Sequence, residues 1–328
     1  MSTATAILAE GLVKHFTPEI RAVDGIDLSI EEGCIFGFLG PNGSGKTTTV
    51  RMLTTLLRPT AGRAEVGGLD VERQAGEVRR RIGVALQEAG LDDLQTGREL
   101  LHLQGRLYAL DLGHVKRRAS HLLDVVDLAQ DADRAIKTYS GGMKRRLDLA
   151  AALMHEPKIV FLDEPTTGLD PISREAIWSE VRRLNADEKV TFFLTTQYLE
   201  EADRLADELA IMNHGHIVAE GTPQRLKAEI GTDVVTVRIE RSEAERVRAA
   251  ELLRGLDGSE DVRTLEDSVV VYIREGRRAI ARIVLLLDES AIQVDEVSLT
   301  HPTLDDVFLR KTGQHIVDAA TAAEADSS

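Results

Sequence analysis

The chain has 328 residues, room for two domains, and its 43% hydrophobic and 29% charged content is that of an ordinary globular protein. Its net charge of −15, with neither half of the chain basic, argues against nucleic acid as a partner, and 4% aromatic residues leave few platforms for stacking bases. The single cysteine, Cys34, excludes an internal disulfide and a thiolate zinc site and points to a reducing compartment. Along the first 230 residues short β-like runs alternate with longer helical ones, which predicts a layered α/β domain. Cys34–Leu39 is almost wholly apolar and ends at a glycine, the pattern of a buried central strand. Ile82–Leu86 reads as another strand. Thr96–Leu110, Val115–Leu128 and Gly141–Leu153 read as helices, so a helical subdomain is expected over about residues 96–153. Lys158–Leu162 and Val190–Leu194 are two further buried strands, and a helix follows over Tyr198–Ala206.

From Thr232 the texture changes. Val235, Val237 and Ile239 alternate with polar residues as in a half-buried strand, and Ser242 with Glu245 has capping-box spacing before a helix to Arg254. Val269–Ile273 reads as a strand. Arg277–Leu287 sets Ala279, Ile280, Ile283, Val284 and Leu287 on one helical face. Ile292–Leu299 is the next expected strand, and Pro302–Lys311 a closing helix. The expected division is therefore a first domain over 1–231, a small α+β domain over 232–314, and a disordered tail over 315–328. The longest aliphatic run, Ile283–Leu287, falls far short of the roughly 20 residues that span a bilayer. Met1–Glu10 has no basic start and no long apolar stretch of the signal-peptide kind.

Two motifs carry chemistry. Directly after the Cys34–Leu39 strand stands Gly40-Pro41-Asn42-Gly43-Ser44-Gly45-Lys46-Thr47, a full Gly-x-x-x-x-Gly-Lys-Thr phosphate loop. Its glycines let successive N–H groups point inward at a polyphosphate, Lys46 reaches the β- and γ-phosphates, and Thr47 offers a hydroxyl to Mg²⁺. Thr48, next in line, is counted with the nucleotide contacts. The second motif is Ile159-Val160-Phe161-Leu162-Asp163-Glu164, a strand that delivers two carboxylates to its C-terminal end. Asp163 is expected to hold the metal, and Glu164 to orient or deprotonate the attacking water.

A third string, Tyr139-Ser140-Gly141-Gly142-Met143, resembles the signature loop of the ATP-binding-cassette (ABC) family, commonly Leu-Ser-Gly-Gly-Gln, and stands between the two motifs as it does there. The resemblance covers about residues 5–230. It implies a P-loop NTPase cassette: a mixed sheet core, an antiparallel β subdomain and a helical signature subdomain. It also implies ATP and Mg²⁺, and a head-to-tail homodimer in which Ser140 and Gly142 of one subunit cap the γ-phosphate held by the other. Gln87 matches the glutamine that touches Mg²⁺, Asp170 in Gly168-Leu169-Asp170 the loop crossing the dimer interface, and Phe16 the aromatic that stacks on adenine; a core phenylalanine is the alternative reading of Phe16. Gln197 stands where most cassettes have a histidine against the γ-phosphate. Glutamine still donates a hydrogen bond there but cannot become cationic. The competing reading makes Gln197 a cap for the following helix.

Within the family the sequence looks closest to daunorubicin-resistance-type subunits, on the strings Leu194-Thr195-Thr196-Gln197-Tyr198-Leu199-Glu200-Glu201-Ala202-Asp203 and Leu304-Asp305-Asp306-Val307-Phe308-Leu309. That implies an ATPase engine for export of a hydrophobic compound through a separate integral-membrane permease, held by it at the cytoplasmic face of the membrane. A soluble or importer-type cassette ATPase is the alternative. The basic runs Arg79-Arg80-Arg81 and Lys144-Arg145-Arg146 are expected to be solvated faces, and the nine histidines show no metal-site spacing.

Overall fold

A computed structural model describes residues 4–17, 19–86, 90–230, 233–239, 242–313 and 315. Two compact units divide the chain, one within residues 1–220 and one within 221–325. The first runs β1 (Thr5–His15), β2 (Arg21–Glu31), β3 (Ile35–Leu39), α1 (Lys46–Leu53), β4 (Ala61–Val66), β5 (Leu69–Asp70), α2 (Ala75–Arg81), β6 (Ile82–Ala85), α3 (Gly97–Leu107) and α4 (Leu112–Val125). It continues with α5 (Gly141–Ala152), β7 (Ile159–Asp163), α6 (Pro171–Glu188), β8 (Thr191–Thr196), α7 (Leu199–Leu205), β9 (Glu208–Asn213) and β10 (His216–Gly221).

A six-stranded sheet has the order β10-β9-β3-β8-β7-β6, parallel from β9 to β6. A four-stranded antiparallel sheet has the order β2-β1-β4-β5. Every residue of β3, β7 and β8 is buried, because both faces of the parallel sheet are covered; β3 is wholly apolar, β7 apolar up to Asp163, and β8 carries Phe192, Phe193 and Leu194 between buried threonines. Successive residues serve opposite cores. Phe36, Phe38, Phe161 and Phe193 pack with Ile7, Leu12, Ile26 and Val66 of the antiparallel sheet, their rings 5.4–5.6 Å apart. Ile35, Leu162, Phe192 and Leu194 pack with the helices α3 to α6. Truncating one of these phenylalanines to alanine costs about 3–5 kcal/mol, a large share of a domain's stability.

Local chemistry moves some boundaries. The second helix of the helical subdomain begins at Leu112 rather than Val115, because the Asp111 carboxylate accepts hydrogen bonds from the N–H groups of Gly113 and His114. β8 runs through Thr196, since Thr195 pairs with Asp163 and Thr196 with Leu39. Cys34, just before β3, is buried; its thiol is pushed up to about 12 by burial, with the carboxylates of Asp207 and Glu208 adding to the shift.

The second unit contains α8 (Pro223–Ile230), β11 (Asp233–Arg238), α9 (Glu243–Arg254), β12 (Ser259–Thr264), β13 (Ser268–Ile273), α10 (Gly276–Glu289), β14 (Glu296–Thr300) and α11 (Leu304–Thr312). Its sheet is antiparallel in the order β12-β13-β11-β14, so the stretch from β11 to β14 is a βαββαβ unit of the ferredoxin-like kind. The unit starts at Gly221, ahead of the expected division at 231, because α8 packs on α11 and the Arg310 guanidinium donates to the carbonyls of Glu229 and Ile230. β14 is shorter than the expected strand over 292–299: Ile292 is buried among the apolar residues of this unit but lies in the loop after α10. Of the tail expected over 315–328, all but His315 lies outside the described residues. Among the described residues no helix is long and apolar enough to cross a membrane.

Candidate functional site

β3 ends at the turn Gly40–Gly45, which feeds α1. The Gly40 N–H donates to the Thr196 carbonyl at 3.2 Å, fixing the turn against the end of β8. Gly43 and Gly45 have φ of 76° and 112°. A Cβ on Gly45 would stand 2.2 Å from the Ala22 carbonyl oxygen, and one on Gly40 2.4 Å from that of Met212. Only glycine fits there. Pro41 and Asn42 lie within the turn, and the Ser44 hydroxyl is buried without a hydrogen-bond partner. Lys46 opens α1 and is only 4% exposed, its ammonium donating to the carbonyls of Gly40 at 2.8 Å and Pro41 at 3.0 Å. Burial pushes its pKa down, and the carboxylates of Glu164 and Asp163 oppose that shift. No side chain caps α1, so its first N–H groups stay open to an anion. Thr47 and Thr48 follow in its first turn.

The end of β7 brings the acids to the same place. Asp163 is buried; its Oδ1 accepts from Thr195 Oγ1 at 2.6 Å and Thr47 Oγ1 at 3.2 Å, while its Oδ2 has no hydrogen-bond partner. Glu164 is 6% exposed, and its Oε1 stands 3.8 Å from the Lys46 ammonium. Its Oε2 accepts from Thr167 Oγ1 at 3.1 Å, and its N–H donates to the carbonyl and hydroxyl of Thr195. Glu164 has φ of 50°, a left-handed conformation that costs a non-glycine residue about 1–3 kcal/mol and persists only where its neighbours impose it. Lys46, Thr47, Asp163 and Glu164 thus converge at the C-terminal ends of β3, β7 and β8, where open α/β sheets hold ligands.

Gln197 follows β8 directly and is half-buried. It does not cap the next helix: the N-cap of α7 is Tyr198, whose N–H donates to Thr196 Oγ1 at 2.9 Å. Ser140 caps α5, its hydroxyl accepting from the Met143 N–H at 3.2 Å, with Gly141 and Gly142 in the first turn. What lies against Gly142 is Leu169 and Ser173. Asp170 caps α6 through hydrogen bonds from Ile172 and Ser173, so the Ser-Gly-Gly turn and the Gly168–Asp170 loop are neighbours within one chain. Tyr139 belongs to the helical core instead. It is buried there, and its hydroxyl donates to the Asp131 carbonyl at 2.7 Å. Phe16 is 55% exposed beneath the Lys14 ammonium, which removes the core reading. Gln87 lies outside the described residues.

Two groups near the site escape a reading by residue type. Arg145 is no solvated charge: buried on α5, it donates to the carbonyls of Leu86, Asp163 and Pro165 and so ties the helix after Ser140 to the end of β7. Asp148, one turn on, is pushed up to about 6 by burial, with the Arg145 guanidinium opposing. Arg146 bonds the Val126 carbonyl, and Lys144 pairs with Asp93. The sequence held a signal for Arg145, since it shares a face of α5 with Leu149 at helical spacing. Glu201, Thr166 and Trp178 form a second buried polar group, described below.

Residues 23–167 match the ABC transporter family, and residues 221–312 match the family described as ATP-binding protein DrrA1-3-like, C-terminal domain. The chain is 45% identical to the daunorubicin resistance ATP-binding protein DrrA2 of Streptomyces coeruleorubidus, over 98% of each chain. It is 45% identical to the daunorubicin/doxorubicin resistance ATP-binding protein DrrA of Streptomyces peucetius, over 98% of this chain and 96% of that one. To the linearmycin resistance ATP-binding protein LnrL of Bacillus subtilis it is 35% identical, over 94% and 99%. Among solved structures it is similar to the dimeric structure of MJ0796, a bacterial ABC transporter cassette, with a TM-score of 0.62 and 26% identity over 66% of this chain and 98% of that one.

Proposed function

The chain belongs to the ABC transporter family, as an ATPase subunit of the drug-resistance exporter kind, and from that premise we propose how its residues divide the work. The observation that carries the reading is the meeting of Lys46, Thr47, Asp163 and Glu164 beside a turn that only glycine can make. The Lys46 ammonium exchanges its two carbonyl partners for the β- and γ-phosphate oxygens of ATP, a charge-assisted contact in a dry site. The N–H groups of Gly43, Gly45, Lys46, Thr47 and Thr48 cradle the phosphates, and Phe16 stacks on adenine. The Thr47 hydroxyl and the orphaned Asp163 Oδ2 are hard oxygen donors that suit Mg²⁺, with Gln87 as a further ligand; when bound, the ion offsets phosphate charge. Glu164 accepts the proton of the attacking water, which gives ADP and phosphate.

Ser140, Gly141 and Gly142 form a second anion cradle, and one nucleotide cannot occupy both. A second copy therefore supplies this turn to the ATP held by the first, with Asp170 and the 83% exposed Ile172 at the seam between them. A cavity of about 320 Å³ lined by Leu56, Leu86, Tyr108, Asp148 and His155, with Leu103 and Leu107 exposed on α3, suits a segment of a separate permease. That contact holds the subunit at the cytoplasmic face of the membrane.

Light scattering on the Glu164→Gln chain with saturating ATP and Mg²⁺ should show a dimer. A monomer under those conditions, with membranes carrying the permease also present, contradicts the two-subunit site. Gln197 acts as a neutral donor to the γ-phosphate. Gln197→Ala should lower turnover by roughly 10- to 150-fold, the loss of a hydrogen bond to a charged group worth about 1.5–3 kcal/mol. Affinity for ADP and melting temperature should both hold, because ADP lacks that phosphate and the cap of α7 lies elsewhere. Gln197→Glu should be worse, since it sets a carboxylate against the phosphate. Unchanged turnover in both variants removes Gln197 from the mechanism.

A further inference from the structure

Behind Glu164 lies a carboxyl group that the hydrolysis just described does not use. Glu201, on α7, is 0% exposed, and its Oε1 accepts two hydrogen bonds, from Thr166 Oγ1 and from Trp178 Nε1, each at 2.9 Å. Burial pushes its pKa up, and Thr196, Trp178, Thr166 and the Arg174 charge pull the other way. Glu201 forms no ion pair among the described residues, whereas its neighbour Glu200 stands exposed beside Arg204. A carboxyl at such depth is costly unless its hydrogen bonds are needed.

What those bonds reach is the turn after Glu164. Thr166 is buried too, and the next residue, Thr167, donates to Glu164 Oε2 at 3.1 Å. The anchor point of the turn is thus one peptide from the bond that orients the Glu164 carboxylate. Glu164 is itself in a left-handed conformation that its surroundings must enforce. The second donor, Trp178, leads away to α6, where it packs beneath the guanidinium groups of Arg174 and Arg204.

We propose that Glu201 is a positioning residue for hydrolysis: through Thr166 it fixes the turn whose Thr167 holds the Glu164 carboxylate toward the attacking water. The proposal rests on Glu164 being the base, and its two hydrogen bonds provide an internal contrast. Thr166→Val removes the bond leading to Glu164 and Trp178→Phe the bond leading to α6, with similar loss of polar contact at Glu201.

Steady-state ATPase kinetics, nucleotide affinity and melting temperature on the full chain test it. Thr166→Val should lower kcat roughly ten-fold or more with the KM for ATP unchanged, in line with the cost of a slightly misplaced catalytic group. Trp178→Phe should lower the melting temperature and keep kcat. Glu201→Gln should retain kcat, because its amide oxygen still accepts from Thr166, while Glu201→Ala should lose it. In a Glu164→Gln background Thr166→Val should cause no further loss, since its effect runs through the missing base. An unchanged kcat in Thr166→Val overturns the proposal, as does an equal fall in Trp178→Phe or a further fall in the double variant. Normal turnover by Glu164→Gln alone sinks the base assignment beneath it; an inactive Glu164→Gln beside a fully active Thr166→Val sinks only the positioning role.

Discussion

Glu164→Gln is expected to cut ATP turnover roughly 10²-fold or more while nucleotide binding persists. An amide cannot take the proton that water gives up as it attacks phosphorus, but it fills the same volume. Its oxygen also still accepts from Thr167 Oγ1, so the left-handed turn keeps its support. Binding persists because the lost charge stands beside the Lys46 ammonium, where a carboxylate competes with the incoming phosphate for the same cation. Single-turnover kinetics with a separate titration of nucleotide affinity divides the two effects. Near-normal turnover would assign proton transfer to another group.

Lys46→Ala is expected to fail one step earlier, at binding. Its ammonium is the buried cation at the turn, and each charge-assisted hydrogen bond it offers contributes about 1.5–3 kcal/mol, so affinity for ATP should fall by roughly 10- to 150-fold per lost contact. The fold should survive, because the Gly40 and Pro41 carbonyls can turn to water at the open mouth of the turn. The two variants therefore part on one axis: Lys46→Ala moves Kd and Glu164→Gln moves kcat. Equal nucleotide affinity in wild type and Lys46→Ala removes the lysine from phosphate binding.

The central strands were legible because burial on both faces demands apolar runs: β3 and β7 have them over four or more residues, and β8 has Phe192-Phe193-Leu194 between β-favouring threonines. The glycine turn was legible because close backbone approach admits one residue type. β12 was not: Ser259–Thr264 is an edge strand with Val262 as its one buried residue, so no alternation stands out, and without it the βαββαβ order of the second unit stays hidden. Glu201 was hidden, and the helical-face signal of Arg145 masked, for a different reason. Each sits in a charged string, Lys144-Arg145-Arg146 or Glu200-Glu201, in which Lys144 and Glu200 pair at the surface while Arg145 and Glu201 turn inward, a difference decided by helix phase and by carbonyl or hydroxyl partners distant in sequence. Composition averages over such strings. Tyr139 shows the converse, a residue inside the signature-like string whose hydroxyl donates to the Asp131 carbonyl in the helical core.

Cys34 sets how this protein can be labelled. A thiol pushed up to about 12 and buried before β3 presents almost no thiolate at neutral pH, so maleimide and methanethiosulfonate reagents should pass it by in the native state. The natural chain then serves as its own cysteine-free background. A cysteine introduced at the exposed Ile172, or at Leu94 in the turn before α3, becomes the sole fast-reacting thiol without removal of Cys34 from its packed position. Spin labels at such sites would test whether two copies approach each other when ATP is added, as the proposed two-subunit site requires, on an otherwise unaltered chain.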